Sequence, residues 1–264
     1  MQLIIAGFHR SGTSLMTQLL HRAGLFVGTD LLGAMPSNQY GHLEDRDFLR
    51  LHRSILRRHG EEWQWDVPFP HFIGRNHWRR MARLARERDL EHEMWGFKDP
   101  RVCLFLGAWK HVMPDAKVVM IYRDPAECVR SLEHRQAGEY FRGLDEPTDD
   151  TVARAPHHLR FFTEPDHGLR VWDTYNRAMV AFAEGHLDDC LVVPHTDLLR
   201  GRPVVAQIRE RFGAPLGDVA VEEVLDPLAI GARVAPQRVA SAEVAERVHQ
   251  TWQSLERLAS RTEN

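Results

Sequence analysis

The start of the chain constrains the fold most, because a strand, a glycine-containing loop and a helix follow one another there. Residues 3–6 form a short apolar run of strand length, and residues 13–23 place Leu15, Leu19 and Leu20 on one helical face. Apolar runs of strand length alternate with longer helical segments along the rest of the chain. Strands that alternate with helices predict an α/β fold with a central parallel sheet flanked by helices.

The same periodicities place the other elements. We predict strands at 3–6, 94–97, 117–122 and 190–194, and helices at 13–23, 45–59, 77–93, 101–112, 125–136, 169–186, 202–212 and 241–260. Residues 60–76 are rich in Trp, Pro, His and Gly and are predicted to form a loop. Residues 138–168 combine glycines and prolines with acids and histidines, so we predict a lid or substrate loop that is less ordered without ligand.

Composition and charge limit the class of protein. The chain has 264 residues and 43% hydrophobic residues, which predicts one domain, 1–264, with a buried core. A net charge of −3 gives no basic signature for nucleic acid, and no apolar segment has the length of a membrane span. Cys103, Cys128 and Cys190 form no CxxC pair, so we expect reduced thiols in a cytoplasmic protein.

The loop AGFHRSGTS, residues 6–14, has the spacing of a phosphate-binding loop. Gly7 and Gly12 are separated as in an ATP-binding P-loop, so backbone N–H groups and the N-terminus of the next helix can surround an anion. Thr13 stands where that loop carries its lysine, and the basic residue is the earlier Arg10. The pattern predicts an anion site without the triphosphate-and-magnesium chemistry of an ATPase; the alternative is a turn that binds nothing.

A second pattern follows the predicted strand 117–122, which runs directly into Arg-Asp-Pro. Arg123 lies at the carboxyl end of this strand, and Ser131 follows eight residues later, two turns into the next helix. A guanidinium group and a hydroxyl group at these positions can both reach one phosphate. Arg130 either assists them or faces solvent.

Together, the two motifs resemble the sulfotransferases that use 3′-phosphoadenosine 5′-phosphosulfate (PAPS). HRSGTS is similar to their 5′-phosphosulfate loop, especially the PRSGTS form of carbohydrate and bacterial members, with His9 in place of the usual proline. WGFKDPR (95–101) and VWDTYNRA (171–178) are similar to blocks of the bacterial members. The resemblance covers most of residues 2–200 and implies a P-loop NTPase-like sulfotransferase fold.

The resemblance also implies which residues bind the donor: His9, Arg10, Ser11, Gly12, Thr13, Ser14, Arg123 and Ser131. The loop residues would surround the 5′-phosphosulfate, and Arg123 with Ser131 would hold the 3′-phosphate. Arg10 matches the basic residue of the family loop and would act as an electrophilic catalyst beside the bridging oxygen. We expect PAPS as donor, 3′-phosphoadenosine 5′-phosphate (PAP) as product and no metal, because a sulfuryl group carries less charge than a phosphoryl group.

The catalytic base is expected in GHLE (41–44), which fits a block that similar sulfotransferases carry just before a helix. Glu44 is the first candidate, because a carboxylate whose pKa is raised in a closed site can accept the hydroxyl proton. His42 is the second candidate, because some members use histidine and its pKa is already suitable. The alternative for Glu44 is helix capping beside Asp45 and Asp47.

Charged and aromatic residues suggest further parts of a site. Lys98, Asp99 and Arg101 follow a predicted strand, where ligands bind in open α/β sheets. Lys98 or Arg101 could contact the sulfuryl group or an anionic acceptor; alternatively, either could form a structural ion pair with Asp99. The aromatic residues of 60–76 could line an acceptor pocket or form local core. The histidines show no metal-ligand spacing.

We therefore expect an enzyme that transfers a sulfuryl group from PAPS to a hydroxyl of a small-molecule, glycan or lipid acceptor by in-line displacement. One alternative is a P-loop nucleotide or metabolite kinase, which Thr13 in the lysine position disfavours. Another is a nucleotide-binding module that has lost its activity. Neither the acceptor nor the oligomeric state follows from the sequence.

Overall fold

Four short, buried strands form the centre of the structure. The computed structural model describes residues 1–33, 41–70, 72–225 and 239–263. The strands are β1 (Gln2–Ala6), β2 (Trp95–Lys98), β3 (Lys117–Tyr122) and β4 (Cys190–Pro194). They form a parallel sheet with the order β2-β1-β3-β4, in which Ile4 pairs with both Phe97 and Val118. The predicted α/β fold with a central parallel sheet is confirmed.

Helices connect the strands and cover both faces of the sheet. In the described residues the α-helices are α1 (Thr13–Arg22), α2 (Arg46–Arg57), α3 (Arg75–Glu91), α4 (Leu106–Val112), α5 (Pro125–Asp145), α6 (Asp149–Thr163), α7 (His167–Gly185), α8 (His195–Leu199), α9 (Val204–Phe212) and α10 (Ala242–Glu263). Short 3-10 helices lie at Pro100–Leu104, Leu187–Asp189 and Val221–Glu223. None of the described helices is both long and apolar enough to cross a membrane.

The core has two layers, because successive side chains of a strand point to opposite faces of the sheet. Ile4 and Val118 pack in one layer against α2, α3, α4, α5, α7 and α10. Ile5 and Val119 pack in the other layer against α1 and α9. Since both faces are covered, the strands are near-continuous apolar runs.

The predicted loop at 138–168 is wrong, because most of this segment is helical. α5 does not end near residue 136 but continues to Asp145, and α6 begins after a short turn. Other predicted elements, including the C-terminal helix predicted at 241–260 and found as α10, lie within a few residues of helices or strands in the structure. The role of the segment as a lid stays a prediction.

Local capping and tertiary packing explain why α6 forms despite Pro156. Thr148 begins the helix with a reciprocal pair of bonds: its oxygen accepts from the Thr151 N–H at 3.2 Å, and Thr151 Oγ1 accepts from the Thr148 N–H at 2.8 Å. Phe161 then enters the same core layer as Val129 of α5. Apolar burial of this kind overrides the weak helix propensity of proline and glycine.

Candidate functional site

A cavity lies at the carboxyl edge of the sheet, where ligands bind in open α/β folds. Its volume is about 730 Å³, which is in the usual range for small-molecule sites. The loop after β1, the start of α1 and the residues that follow β2, β3 and β4 form one part of its wall. Residues of α5, α6 and the segment 61–64 form the other part. The parallel topology thus brings the predicted motifs to one place.

The loop between β1 and α1 has the backbone conformation of an anion cradle. Arg10 has φ +67° and Gly12 has φ +97°, both in the left-handed region. Ser11 closes the turn, since its Oγ and its N–H donate to the Phe8 carbonyl at 2.6 Å and 3.1 Å. α1 begins at Thr13, so the N–H groups of its first turn and the positive end of its dipole lie at the cavity.

Arg10, Arg123 and Ser131 meet beside this loop, although they are far apart in the sequence. Arg10 Nε donates to Ser131 Oγ at 2.9 Å, and Arg123 Nη1 donates to the Arg10 carbonyl at 3.2 Å. Arg123 Nε donates to Glu127 Oε2 at 2.8 Å. Burial, followed by the charges of Arg135 and Arg123, lowers the pKa of Arg10. Such a concentration of cationic groups suits an anionic ligand.

Arg130, whose role the sequence left open, is exposed on α5. It is not among the residues that line the cavity.

The sequence of this α/β chain matches one family. A sequence model of the sulfotransferase family matches residues 2–218. The chain belongs to the sulfotransferase family. This membership supports sulfuryl transfer as the general reaction.

Among solved structures, the chain is similar to sulfotransferase STF1 from Mycobacterium tuberculosis H37Rv, with 15% sequence identity and a TM-score of 0.39. That similarity covers 99% of this chain and 76% of the mycobacterial chain. A comparison with curated proteins found no match.

Glu44, the first candidate for the base of this family member, lies in the cavity wall just before α2 and is 5% exposed. Lys98, at the end of β2, donates to Glu44 Oε1 at 3.0 Å, and Arg101 Nη1 lies 3.9 Å from Oε2. The cap of α2 is Asp45, whose Oδ1 accepts from the Asp47 N–H at 2.9 Å. Glu44 therefore contacts cationic side chains from other parts of the chain and does not cap the helix.

His42, the second candidate, lies beside Glu44, with its Nδ1 4.0 Å from Glu44 Oε1. Burial, followed by the charge of Lys98, lowers the pKa of His42 to about 3. The imidazole is thus neutral at neutral pH but a weaker base than a histidine in water. Its Nε2 is buried without a hydrogen-bond partner among the described residues.

Arg101 combines the two roles that the sequence left open. Its Nη1 donates to Asp99 Oδ1 at 2.8 Å, which is the structural ion pair. Arg101 also lines the cavity close to Glu44, as does Lys98. The segment KDPR therefore supplies two cations to the site and one buried carboxylate behind it.

Of the aromatic residues in the segment 60–76, one lines the cavity and others lie in the core. Trp63 lines the cavity, and its ring lies 4.6 Å from the ring of His9. Trp65 and Phe69 are buried in the core. Burial, followed by the charge of Arg101, lowers the pKa of His9 well below its usual value, so the imidazole is neutral at neutral pH. His9 also lines the cavity, and its role in donor binding stays a prediction.

The segment VWDTYNRA lies on α7 and supports the cavity walls from behind. Trp172 Nε1 donates to the Arg123 carbonyl at 3.3 Å, and the Tyr175 hydroxyl donates to the Trp63 carbonyl at 2.7 Å. Asp173 accepts hydrogen bonds from two side chains of α10, at 2.8 Å and 2.6 Å. These bonds tie both sides of the cavity to the core.

The sequence patterns did not predict several residues that line the cavity. His195 begins α8 directly after β4 and lies against Gly12, where an added Cβ would come within 2.5 Å of its Cδ2. Burial, followed by the charge of Arg123, lowers the pKa of His195 to about 4. Its position after a buried strand was the available signal. α5 and α6 add Arg135, Gln136, Glu139, Asp150, Arg154, His157 and His158.

A cluster of Asp66, Glu164 and His167 places three ligand-type atoms within 4.8 Å of one another. Guanidinium groups bind both carboxylates of the cluster: Arg170 Nη2 donates to Asp66 Oδ2 at 3.1 Å, and Arg160 Nε donates to Glu164 Oε1 at 2.8 Å. The positive charges that a cation would supply are therefore present as arginines. This cluster is an ion-pair network that joins α6, α7 and the segment before α3.

Proposed function

We propose that this chain transfers a sulfuryl group from PAPS to a hydroxyl group of an acceptor by in-line displacement. The single observation that carries the proposal is the meeting of Arg10, Arg123 and Ser131 beside the N-terminus of α1. It supports two anion-binding positions, one at the loop and one between β3 and α5, with Arg10 and Arg123 both lining the cavity. PAPS carries anionic groups at both its 5′ and its 3′ end.

The 5′-phosphosulfate would lie in the loop, bound by the N–H groups of residues 11–14 and by the hydroxyl groups of Thr13 and Ser14. Arg123 and Ser131 would hold the 3′-phosphate. This donor assignment is supported by the left-handed Gly12, which lets the backbone turn towards the ligand. His195 lies against Gly12 and lines the cavity, so it would lie close to the donor.

In the proposed reaction, the acceptor oxygen attacks sulfur as the bond from sulfur to the bridging oxygen of PAPS breaks. The electron pair of that bond leaves with PAP, and Arg10 stabilises the negative charge that develops on the bridging oxygen. Glu44 accepts the hydroxyl proton, held in place by Lys98 at 3.0 Å. His42 is the second candidate for this step.

The acceptor would enter between the segment 61–64 and the helices α5 and α6. Trp63 offers an aromatic surface there, and Gln136 and His158 offer polar groups. Small molecules, glycans and lipids with a hydroxyl group remain the proposed acceptor classes, and a cytoplasmic location stays a prediction.

Calorimetric titration tests the donor assignment. PAP is titrated with and without magnesium, beside Mg–ATP and 5′-AMP, into the wild type, Arg123→Ala and Arg130→Ala. We expect metal-independent binding of PAP that falls about 10- to 100-fold in Arg123→Ala, because hydrogen bonds to charged groups contribute about 1.5–3 kcal/mol. Arg130→Ala is the control, since Arg130 is exposed on α5 and does not line the cavity, and it should bind PAP like the wild type.

The other outcomes separate the alternatives. Preferential binding of Mg–ATP would refute the donor assignment and favour a kinase. Binding of PAP without release of PAP from PAPS, with acceptors of all three classes supplied, would favour a module without activity.

A further inference from the structure

A buried row of hydrogen bonds leads from α4 to the cavity. Trp109 Nε1 donates to His52 Nε2 at 2.8 Å, and His52 Nδ1 lies 2.8 Å from Asp99 Oδ2. Arg101 Nη1 donates to the other oxygen of Asp99, at 2.8 Å. Trp109, His52 and Asp99 are fully buried, whereas Arg101 lines the cavity. The row therefore ends at one residue of the candidate site.

Trp109 determines which nitrogen of His52 carries the proton. An indole N–H can only donate, so His52 Nε2 must be the unprotonated, accepting nitrogen. The proton is then on Nδ1, and His52 donates it to the Asp99 carboxylate. This arrangement fixes His52 in one tautomer.

Asp99 is held on both of its oxygens. Oδ1 accepts from the backbone N–H of Arg101 at 3.0 Å as well as from its guanidinium group, and Oδ2 accepts from His52. Burial by itself would raise the pKa of Asp99, but the charge of Arg101 and the bond from His52 lower it below its usual value. The carboxylate thus stays ionised and has a single orientation.

Arg101 binds Asp99 through Nη1 and also lines the cavity. Its Nη1 lies 3.9 Å from Glu44 Oε2, and its Nε is buried without a hydrogen-bond partner among the described residues. A guanidinium group in this place can donate to sulfuryl oxygens or to the acceptor only while its plane is fixed.

On the basis of the proposed function, we propose that His52 is a positioning residue that acts through Asp99 to orient the guanidinium group of Arg101 in the site. Without the bond from His52, the hydrogen bonds that remain on the Asp99 carboxylate come from Arg101 itself, so the orientation of both side chains is less restricted. His52 does not line the cavity, so it would act on the reaction through Asp99 and Arg101 rather than by contact with a ligand.

His52 also stacks on Phe105 at 5.0 Å, so its substitution affects packing as well as the orientation of Asp99. Two substitutions of His52 distinguish these effects. His52→Leu fills the buried position with an apolar side chain but removes both hydrogen bonds. His52→Asn retains an N–H group near the position of Nδ1 and can still donate to Asp99. Ile208→Ala is the control, because Ile208 is buried in the opposite core layer and its substitution lowers stability without touching the site.

The first measurement is PAP release from PAPS, with PAP affinity measured by calorimetry. We expect kcat to fall about 10- to 100-fold in His52→Leu, the range produced by small misplacements of a site residue. PAP affinity should be unchanged, His52→Asn should recover much of kcat, and Ile208→Ala should keep the kcat of the wild type. A wild-type kcat in His52→Leu, or equal losses in His52→Leu and His52→Asn, would overturn the proposal.

The second measurement does not depend on the proposed function. Proton–nitrogen NMR should show His52 with its proton on Nδ1, and a protected Nε–H signal of Arg101, assigned with Arg101→Lys. We expect the Arg101 signal to be lost in His52→Leu and retained in His52→Asn and Ile208→Ala; retention in His52→Leu would overturn the positioning role. A wild type that binds no PAP would refute the donor assignment, while this signal would still decide the role of His52.

Discussion

Substitution of Gly12 by alanine should lower both the stability of the fold and its affinity for PAP. Gly12 has φ +97°, and a Cβ at this position would lie 2.5 Å from His195 Cδ2 and 3.2 Å from Ile121 Cδ1. Alanine would therefore adopt an unfavourable left-handed backbone conformation and overlap with the ring of His195.

The backbone and the steric contributions to the loss of stability can be estimated separately. A left-handed conformation costs an L-residue about 1–2 kcal/mol. Carbon atoms pack well at about 3.5–4.0 Å, so the ring or the loop must move by roughly 1 Å. Overpacking of this kind costs about 1–3 kcal/mol, which brings the expected loss of unfolding free energy to about 2–5 kcal/mol. Each kcal/mol lowers Tm by about 2–4 °C in a chain of this size.

Gly213→Ala is the matched control for the backbone effect. Gly213 has φ +66° at the end of α9, and no described atom lies within 4 Å of the position of its Cβ. This variant should lose only about 1–2 kcal/mol and bind PAP like the wild type. The double variant Gly12→Ala/His195→Ala should recover the part of the stability that the overlap removes.

Thermal unfolding and calorimetry with PAP measure the two consequences. We expect PAP affinity to fall at least about tenfold in Gly12→Ala, equivalent to about 1.4 kcal/mol, because the loop can no longer hold its anion-binding conformation. If Gly12→Ala were as stable as Gly213→Ala and bound PAP like the wild type, the reasoning about the loop would be wrong.

Two further predictions concern the base and the pH dependence of stability. Glu44→Gln should lower kcat by about 10²- to 10⁴-fold with unchanged PAP affinity, since a general base contributes in this range; a wild-type kcat would favour His42. The free energy of unfolding should fall as the pH is lowered from 6.5 towards 4, because unfolded His195 binds a proton in this interval whereas its pKa in the folded chain is about 4. Urea unfolding of His195→Asn should show a smaller decrease over the same interval, and an equal decrease would contradict this assignment.

Local patterns were sufficient for the strands and for two parts of the candidate site. Residues 117–122 form a strand because the run from Val118 onward is apolar, and the following Pro125 suits the first turn of a helix. The spacing of Arg123 and Ser131 after a strand predicted that both could reach one phosphate, and the structure places each of them against Arg10; their shared ligand stays a prediction.

The segment 138–168 shows where local patterns were insufficient. Its glycines and prolines favour a loop by propensity, but each costs only a limited amount in a helix. Burial of Phe161 against the core and the capping box at Thr148 outweigh that cost. Such burial depends on partners that a local window does not contain.

The sequence by itself determined the order of strands and helices, the glycine loop and the position of Arg123 at a strand end, because each depends on residues within a few turns of one another. The tertiary structure decided which polar and charged side chains meet: Arg10 with Ser131, Lys98 with Glu44, and His52 with Asp99. These pairs are separated by tens of residues or more in the chain. Their geometry depends on the strand order β2-β1-β3-β4, which brings the ends of distant strands to one edge of the sheet.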